Sequence, residues 1–137
     1  MSRHQLIVGG QRSGKSGHAQ RLAAASDLQV TVVATAMALD EEMAARIARH
    51  KRDRPTGFST VEAPLALNDA LRAHAQSGRL LVVDCLTLWL TNWLMPMNGP
   101  ADVAGWERER QKVLDALPRL PSPVLFISNE VGWGSRR

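Results

Sequence analysis

The residues with the plainest chemistry stand near the start of the chain. Gly9 to Ser16 read GGQRSGKS, directly after the apolar run Leu6-Ile7-Val8 and directly before an Ala/Leu-rich stretch. The spacing matches G-x-x-x-x-G-K-[ST], in the strand–loop–helix setting that such a phosphate-binding loop requires. Its glycines let the backbone through Gly9, Gly10, Gln11, Arg12, Ser13 and Gly14 fold tightly and turn its N–H groups inward. The following helix N-terminus adds its partial positive charge to this anion nest. Lys15 would reach the β- and γ-phosphates, and the Ser16 hydroxyl would hold Mg2+. A nucleoside triphosphate is the expected ligand.

Two further residues are candidates for chemistry. Asp84 closes the apolar run Leu80-Leu81-Val82-Val83. A P-loop protein needs a carboxylate to complete the Mg2+ shell that the loop serine begins, although an ordinary strand end or helix cap would read the same way. His50 is flanked by Arg49, Lys51, Arg52 and Arg54. These cations would favour the neutral imidazole, which can attack phosphorus, and could themselves hold phosphate oxygens. A structural histidine near a helix end is the competing reading. Cys85, the one cysteine, reads as a small buried filler rather than a nucleophile, and it excludes a disulfide framework or a cysteine-based metal site within one chain.

Periodicity indicates the elements that could position these residues. Gln5–Val8, Val30–Ala34, Leu80–Asp84 and Val124–Ile127 are apolar runs expected as buried strands, with Phe58–Val61 a shorter one. Helices are expected over Lys15–Ala25, from an Asp40 cap to about Arg49, and over Leu65–Ala75 and Leu86–Leu94. A last one runs from an Asp102 cap over Val103–Leu117, where Pro118 breaks it. Met43, Ile47 and His50 share one side of the second helix. Arg54-Pro55-Thr56-Gly57 then breaks the helical pattern. Strands alternating with helices predict an α/β fold, a mostly parallel sheet flanked by helices. Ligands of such sheets bind outside the carboxyl ends of the strands, where Gly9–Ser16, Thr35, Asp84 and Asn129–Glu130 all fall.

A chain of 137 residues is a single-domain length. The net charge of +4, from 17 Lys+Arg and 13 Asp+Glu, suits an anionic ligand. It forms no basic stripe with interleaved aromatics, so nucleic acid is not an expected partner. No apolar run approaches the roughly 18 residues of a membrane span, no signal peptide is evident, and a cytoplasmic location is expected. Trp89 and Trp93, one turn apart, are expected as core or subunit contacts.

The phosphate loop at the N-terminus, ATAMALDEEMAARIARHKRDRP, STVEAP, VVDCLTLWLTN and SNEVG together resemble the bifunctional adenosylcobinamide kinase/adenosylcobinamide-phosphate guanylyltransferase family. The similarity runs over essentially the whole chain, and DEEMAARIARHKRDRP is its most specific block. The resemblance implies a P-loop NTPase-type enzyme of cobalamin biosynthesis, homo-oligomeric and trimeric in the family. It would phosphorylate adenosylcobinamide with ATP or GTP. It would then transfer GMP from GTP, through a histidine, to adenosylcobinamide phosphate. His50 matches the family's histidine. Nucleotide contacts carry over to Gly9–Ser16, to Thr35 with its neighbours Ala34 and Ala36, to Arg54 and to Glu62, and Asp84 matches the acidic strand end. Lys15 joins His50 as a catalytic candidate, and Ser16 and Asp84 are the metal candidates. The family continues for several tens of residues past Asn-Glu-Val-Gly, whereas this chain reads Gly132-Trp133-Gly134-Ser135-Arg136-Arg137. A further helix and a last strand are therefore expected to be missing. Two alternatives remain: a catalytically inactive nucleotide binder, or a simple P-loop small-molecule kinase.

Overall fold

The protein is described by a computed structural model over residues 4–9, 15–37, 41–55, 57–96 and 99–129, with backbone alone at 9, 15–17, 50 and 129. Its strands are β1 (Gln5–Gly9), β2 (Gln29–Ala34), β3 (Ser59–Glu62), β4 (Arg79–Asp84) and β5 (Val124–Asn129). Its helices are α1 (Lys15–Ala25), α2 (Glu41–Asp53), α3 (Leu67–His74), α4 (Leu86–Leu94) and α5 (Val103–Ala116), the last followed by a 3-10 turn at Leu117–Arg119. All strand pairs are parallel, in the order β1-β5-β4-β2-β3.

The continuous apolar runs are explained by burial on both faces. Along β4, Leu80 and Val82 point to one side and Leu81 and Val83 to the other, as the two-residue strand period demands. Ala19 and Ala23 of α1 cover the first face, together with Val30, Val32, Leu125 and Ile127. Leu67 and Leu71 of α3, Trp89 of α4 and Val113 of α5 cover the second, against Val33, Val124 and Phe126. Strand β1 departs from the buried strand expected there: among the described residues it stands at the sheet edge and pairs with β5 alone, and Leu6 and Val8 are 58% and 60% exposed.

Helix ends differ from expectation where a neighbour or a proline decides them. Helix α2 runs on to Asp53 rather than Arg49, because Lys51 and Arg52 are good helix formers and the stop comes only with Arg54-Pro55. His50 is thus inside the last turn rather than at the end of the helix. The residue expected to cap α2, Asp40, lies outside the described residues. Helix α3 begins at Leu67, two residues late. The carbonyl of Leu65 is taken by the indole N–H groups of Trp89 and Trp93, and Ala66 is non-helical with no side-chain cap of its own. The cap comes instead from α5, where Glu109 Oε2 accepts the Asn68 N–H at 2.8 Å. A carboxylate there meets one of the orphan donors of the first turn and the positive end of the helix. Asp102 caps α5 as expected, accepting the Gly105 N–H at 2.9 Å.

Candidate functional site at the carboxyl edge of the sheet

Register places the predicted residues along one edge. Gly9 is opposite Asn129, the last residue of β5, while Asp84 ends β4 opposite Ile127 and Ala34, and Ala34 lies opposite Glu62. Strand β5 stands between the strand that leads into the phosphate loop and the strand that ends in Asp84. With neighbouring strands about 4.8 Å apart, Asp84 is about 10 Å across the sheet from β1, and Glu62 about 19 Å. Lys15 and Ser16 open α1 directly after the loop. Gly10, Gln11, Arg12, Ser13, Gly14 and Glu130 lie outside the described residues.

Arg54, the first residue after α2, reaches back over this edge. Its guanidinium Nη2 is 3.8 Å from Asp84 Oδ2, and its Nη1 donates to Thr60 Oγ1 at 3.3 Å. Burial lowers the proton affinity of Arg54 below its ordinary value, and the charge of Asp84 works in the opposite direction. A small pocket beside the pair is lined by Gln20, Phe58 and the apolar residues Val32, Val82 and Ile127. Glu62 is exposed and meets Lys51 Nζ at 3.4 Å, so helix α2 is tied to β3 and to β4 by its C-terminal end.

Thr35 is fully buried. Its hydroxyl donates to the Cys85 carbonyl at 2.7 Å and accepts the Cys85 N–H at 2.9 Å, while its own N–H donates to the Asp84 carbonyl at 3.1 Å. Thr35 therefore fixes the backbone on both sides of the Asp84–Cys85 junction, its N–H holding Asp84 and its hydroxyl holding Cys85. Ala34 is buried and Ala36 half-buried beside it. Replacing Thr35 by valine leaves the buried Cys85 N–H without that acceptor. The expected loss is about 1–3 kcal/mol of stability in urea titration, with Thr35→Ser close to wild type.

Asn92 has a part in the site that its place in the sequence does not reveal. Its Nδ2 donates to the carbonyls of Thr35 at 2.8 Å and Pro64 at 3.0 Å, joining the segments that leave β2 and β3. Its position one turn after Leu88 and beside Trp93 gives no hint of this, since both acceptors are backbone atoms distant in sequence. The Arg54–Asp84 pair is equally hidden, although each residue is a candidate on its own. Cys85 is buried, as expected of a filler.

The donor set suits a magnesium–nucleotide. Mg2+ keeps several waters and binds through one or two carboxylates plus substrate phosphates, not through a protein cage. Among the described residues there is no cluster of three His, Cys, Asp or Glu side chains able to hold a metal. Asp84, its side chain 23% exposed at a strand end, offers the single carboxylate such a site needs. Among the described residues, no helix is long and apolar enough to cross a membrane.

Comparison with known proteins agrees with this geometry. Residues 5–136 match the family described as cobinamide kinase / cobinamide phosphate guanyltransferase. The chain is 51% identical over 129 residues to the bifunctional adenosylcobalamin biosynthesis protein CobP of Pseudomonas aeruginosa, covering 94% of this chain and 72% of that one. It is 37% identical to the bifunctional adenosylcobalamin biosynthesis protein CobU of Escherichia coli, covering 94% and 76%. In fold it is similar to the RadB recombinase, with a TM-score of 0.58 at 20% identity, covering 93% of this chain and 62% of that one.

Proposed function

Because the chain belongs to the cobinamide kinase / cobinamide phosphate guanyltransferase family, an enzyme family of adenosylcobalamin biosynthesis, we propose that it carries out both reactions. In the first, the aminopropanol hydroxyl of adenosylcobinamide takes the γ-phosphoryl group of ATP or GTP. In the second, GMP passes from GTP to the new phosphate, giving adenosyl-GDP-cobinamide.

The observation that supports this most is the meeting of three segments at one sheet edge. These are the strand entering the phosphate loop, the strand ending in Asp84, and the C-terminal end of the helix that bears His50. An imidazole nitrogen of His50 attacks the α-phosphorus of GTP. A P–N bond forms as the bond from the α-phosphorus to the bridging oxygen breaks, and pyrophosphate leaves. The corrinoid phosphate oxygen then attacks the same phosphorus and returns the imidazole nitrogen to its free form. The phosphate-loop amides of Gly9–Ser16 and the Lys15 ammonium stabilise charge that grows on the leaving pyrophosphate. Ser16 and Asp84 would hold Mg2+, which supplies charge neutralisation at the phosphates when bound. Arg54 and Glu62 flank the nucleotide, and Thr35 with Ala34 and Ala36 sets the backbone beside it. The working assembly is a homo-oligomer in the cytoplasm.

The test is the intact mass of the protein after incubation with GTP and Mg2+. An acid-labile gain equal to GMP is the expected result. A folded protein that gains no mass, yet phosphorylates the corrinoid, would be a simple kinase instead.

A further inference from the structure

Two hydroxyls stand at the carboxyl edge of the sheet with no part in the reactions described so far. Ser128 is the last residue but one of β5, and Thr87 is in the first turn of α4. Their Oγ atoms are 3.4 Å apart, beyond the roughly 2.5–3.0 Å of an ordinary hydroxyl pair. Among the described residues this is the one hydrogen-bonding contact of the Ser128 hydroxyl, and the residue is only half-buried. Strand β5 lies between β1, which leads into the phosphate loop, and β4, which ends in Asp84. Ser128 is opposite Val8, and Ile127 just before it is opposite Asp84. The two faces of this edge are not equivalent. Asp84 shares the side of α1 with Ala19, Gln20 and Ile127. Side chains alternate along a strand, so Ser128 follows Phe126 to the other face, where Trp89 of α4 packs.

We infer that Ser128 is a catalytic residue of the phosphoryl-transfer step and that Thr87 positions it. The inference rests on the kinase reaction of the proposed function. There the phosphate loop, α1 and Asp84 hold the nucleotide from the first face. The attacking and leaving oxygens of an in-line displacement stand on opposite sides of phosphorus. The acceptor hydroxyl therefore arrives from the face of α4. Ser128 Oγ donates its hydrogen to Thr87 Oγ1 and accepts the O–H of the aminopropanol, which turns an oxygen lone pair toward the γ-phosphorus. The bond from the γ-phosphorus to the bridging oxygen breaks as the bond to the acceptor oxygen forms. The hydroxyl proton passes to an oxygen of the transferred phosphoryl group, and ADP or GDP leaves. GMP transfer takes place at the α-phosphorus and makes no use of this contact.

The two half-reactions, measured on the whole chain, test this. One is the initial rate with adenosylcobinamide, ATP and Mg2+, and the other is the rate of GMP adduct formation with GTP and Mg2+. Ser128→Ala is expected to lower kcat for corrinoid phosphorylation roughly 10- to 100-fold, with KM for ATP within about threefold of wild type. Adduct formation falls by less than about threefold. With the acceptor no longer aimed, ADP is released several-fold in excess of the corrinoid phosphate formed. Ser128→Thr, which keeps the hydroxyl, restores both transfer and its coupling to ADP release. Thr87→Val gives the same split more weakly, and it decides the matter should Ser128→Ala fail to fold. An equal loss of both half-reactions overturns the inference, since the hydroxyl would then serve the nucleotide or the fold. Unchanged phosphorylation in Ser128→Ala overturns it as well. A wild-type chain that phosphorylates no corrinoid removes the kinase reaction of the proposed function, and the inference with it.

Discussion

With alanine at position 50, the protein incubated with GTP and Mg2+ shows no GMP adduct, and GMP transfer falls by a factor on the order of 10^3 to 10^6. The size of the effect reflects the role. A covalent relay has no substitute once the attacking nitrogen is gone, and what remains is binding and charge stabilisation by the phosphate loop. His50→Asn, which keeps polarity and approximate size without the ring nitrogen nucleophile, is expected to behave the same way. The measurement is a time course of adduct mass and of pyrophosphate release, alongside circular dichroism. The neighbouring helix residues are exposed, so the dichroism should not change. Retention of the adduct in either variant would remove His50 from the reaction.

The second large effect is on stability. Trp89→Ala is expected to cost about 3–5 kcal/mol, a large part of the roughly 5–15 kcal/mol that holds a domain together. The ring is 4% exposed, stands edge-on to Trp106 with centroids 4.7 Å apart, and donates from Nε1 to the Leu65 carbonyl at 3.0 Å. Trp93 Nε1 reaches that same carbonyl at 3.2 Å, so the hydrogen bond is backed up and the loss is mainly one of packing. Trp89→Phe should therefore recover most of it. Urea titration followed by far-ultraviolet dichroism gives the difference. A loss below about 1 kcal/mol would mean that the site collapses and refills the space.

The strands and most helices are legible in the sequence because their signals are local. Leu80–Asp84 and Val124–Ile127 are apolar without a break, and only a sheet covered on both faces hides such runs. Asp102 announces its helix by capping it. The start of α3 is not legible, since its cap is Glu109, forty-one residues away in sequence. The end of α2 is hard to place because the run of basic residues around His50 carries little periodic signal. Pro55, the real stop, belongs by its type equally well to the turn after it. At the site, Asp84, Thr35 and Arg54 can each be picked out from pattern or family likeness. What they do to one another cannot. Thr35 acts on the backbone of Cys85, and Arg54 acts on Asp84, across elements that only the folded sheet brings together.

The order of strands also has a meaning for the ribosome. Strand β1 is the first made, yet its pairing partner is β5, with Gln5 opposite Leu125. Until β5 leaves the exit tunnel, the strand leading into the phosphate loop has no neighbour, while β2, β3 and β4 can already associate. A nascent chain stalled before residue 124 should thus carry a preformed three-stranded half and an unanchored loop, with no nucleotide held between them. Such late closure by a distant contact is slow, and it leaves apolar edges uncovered meanwhile. Slower translation through the codons before β5 would prolong that exposure and raise the yield of aggregates.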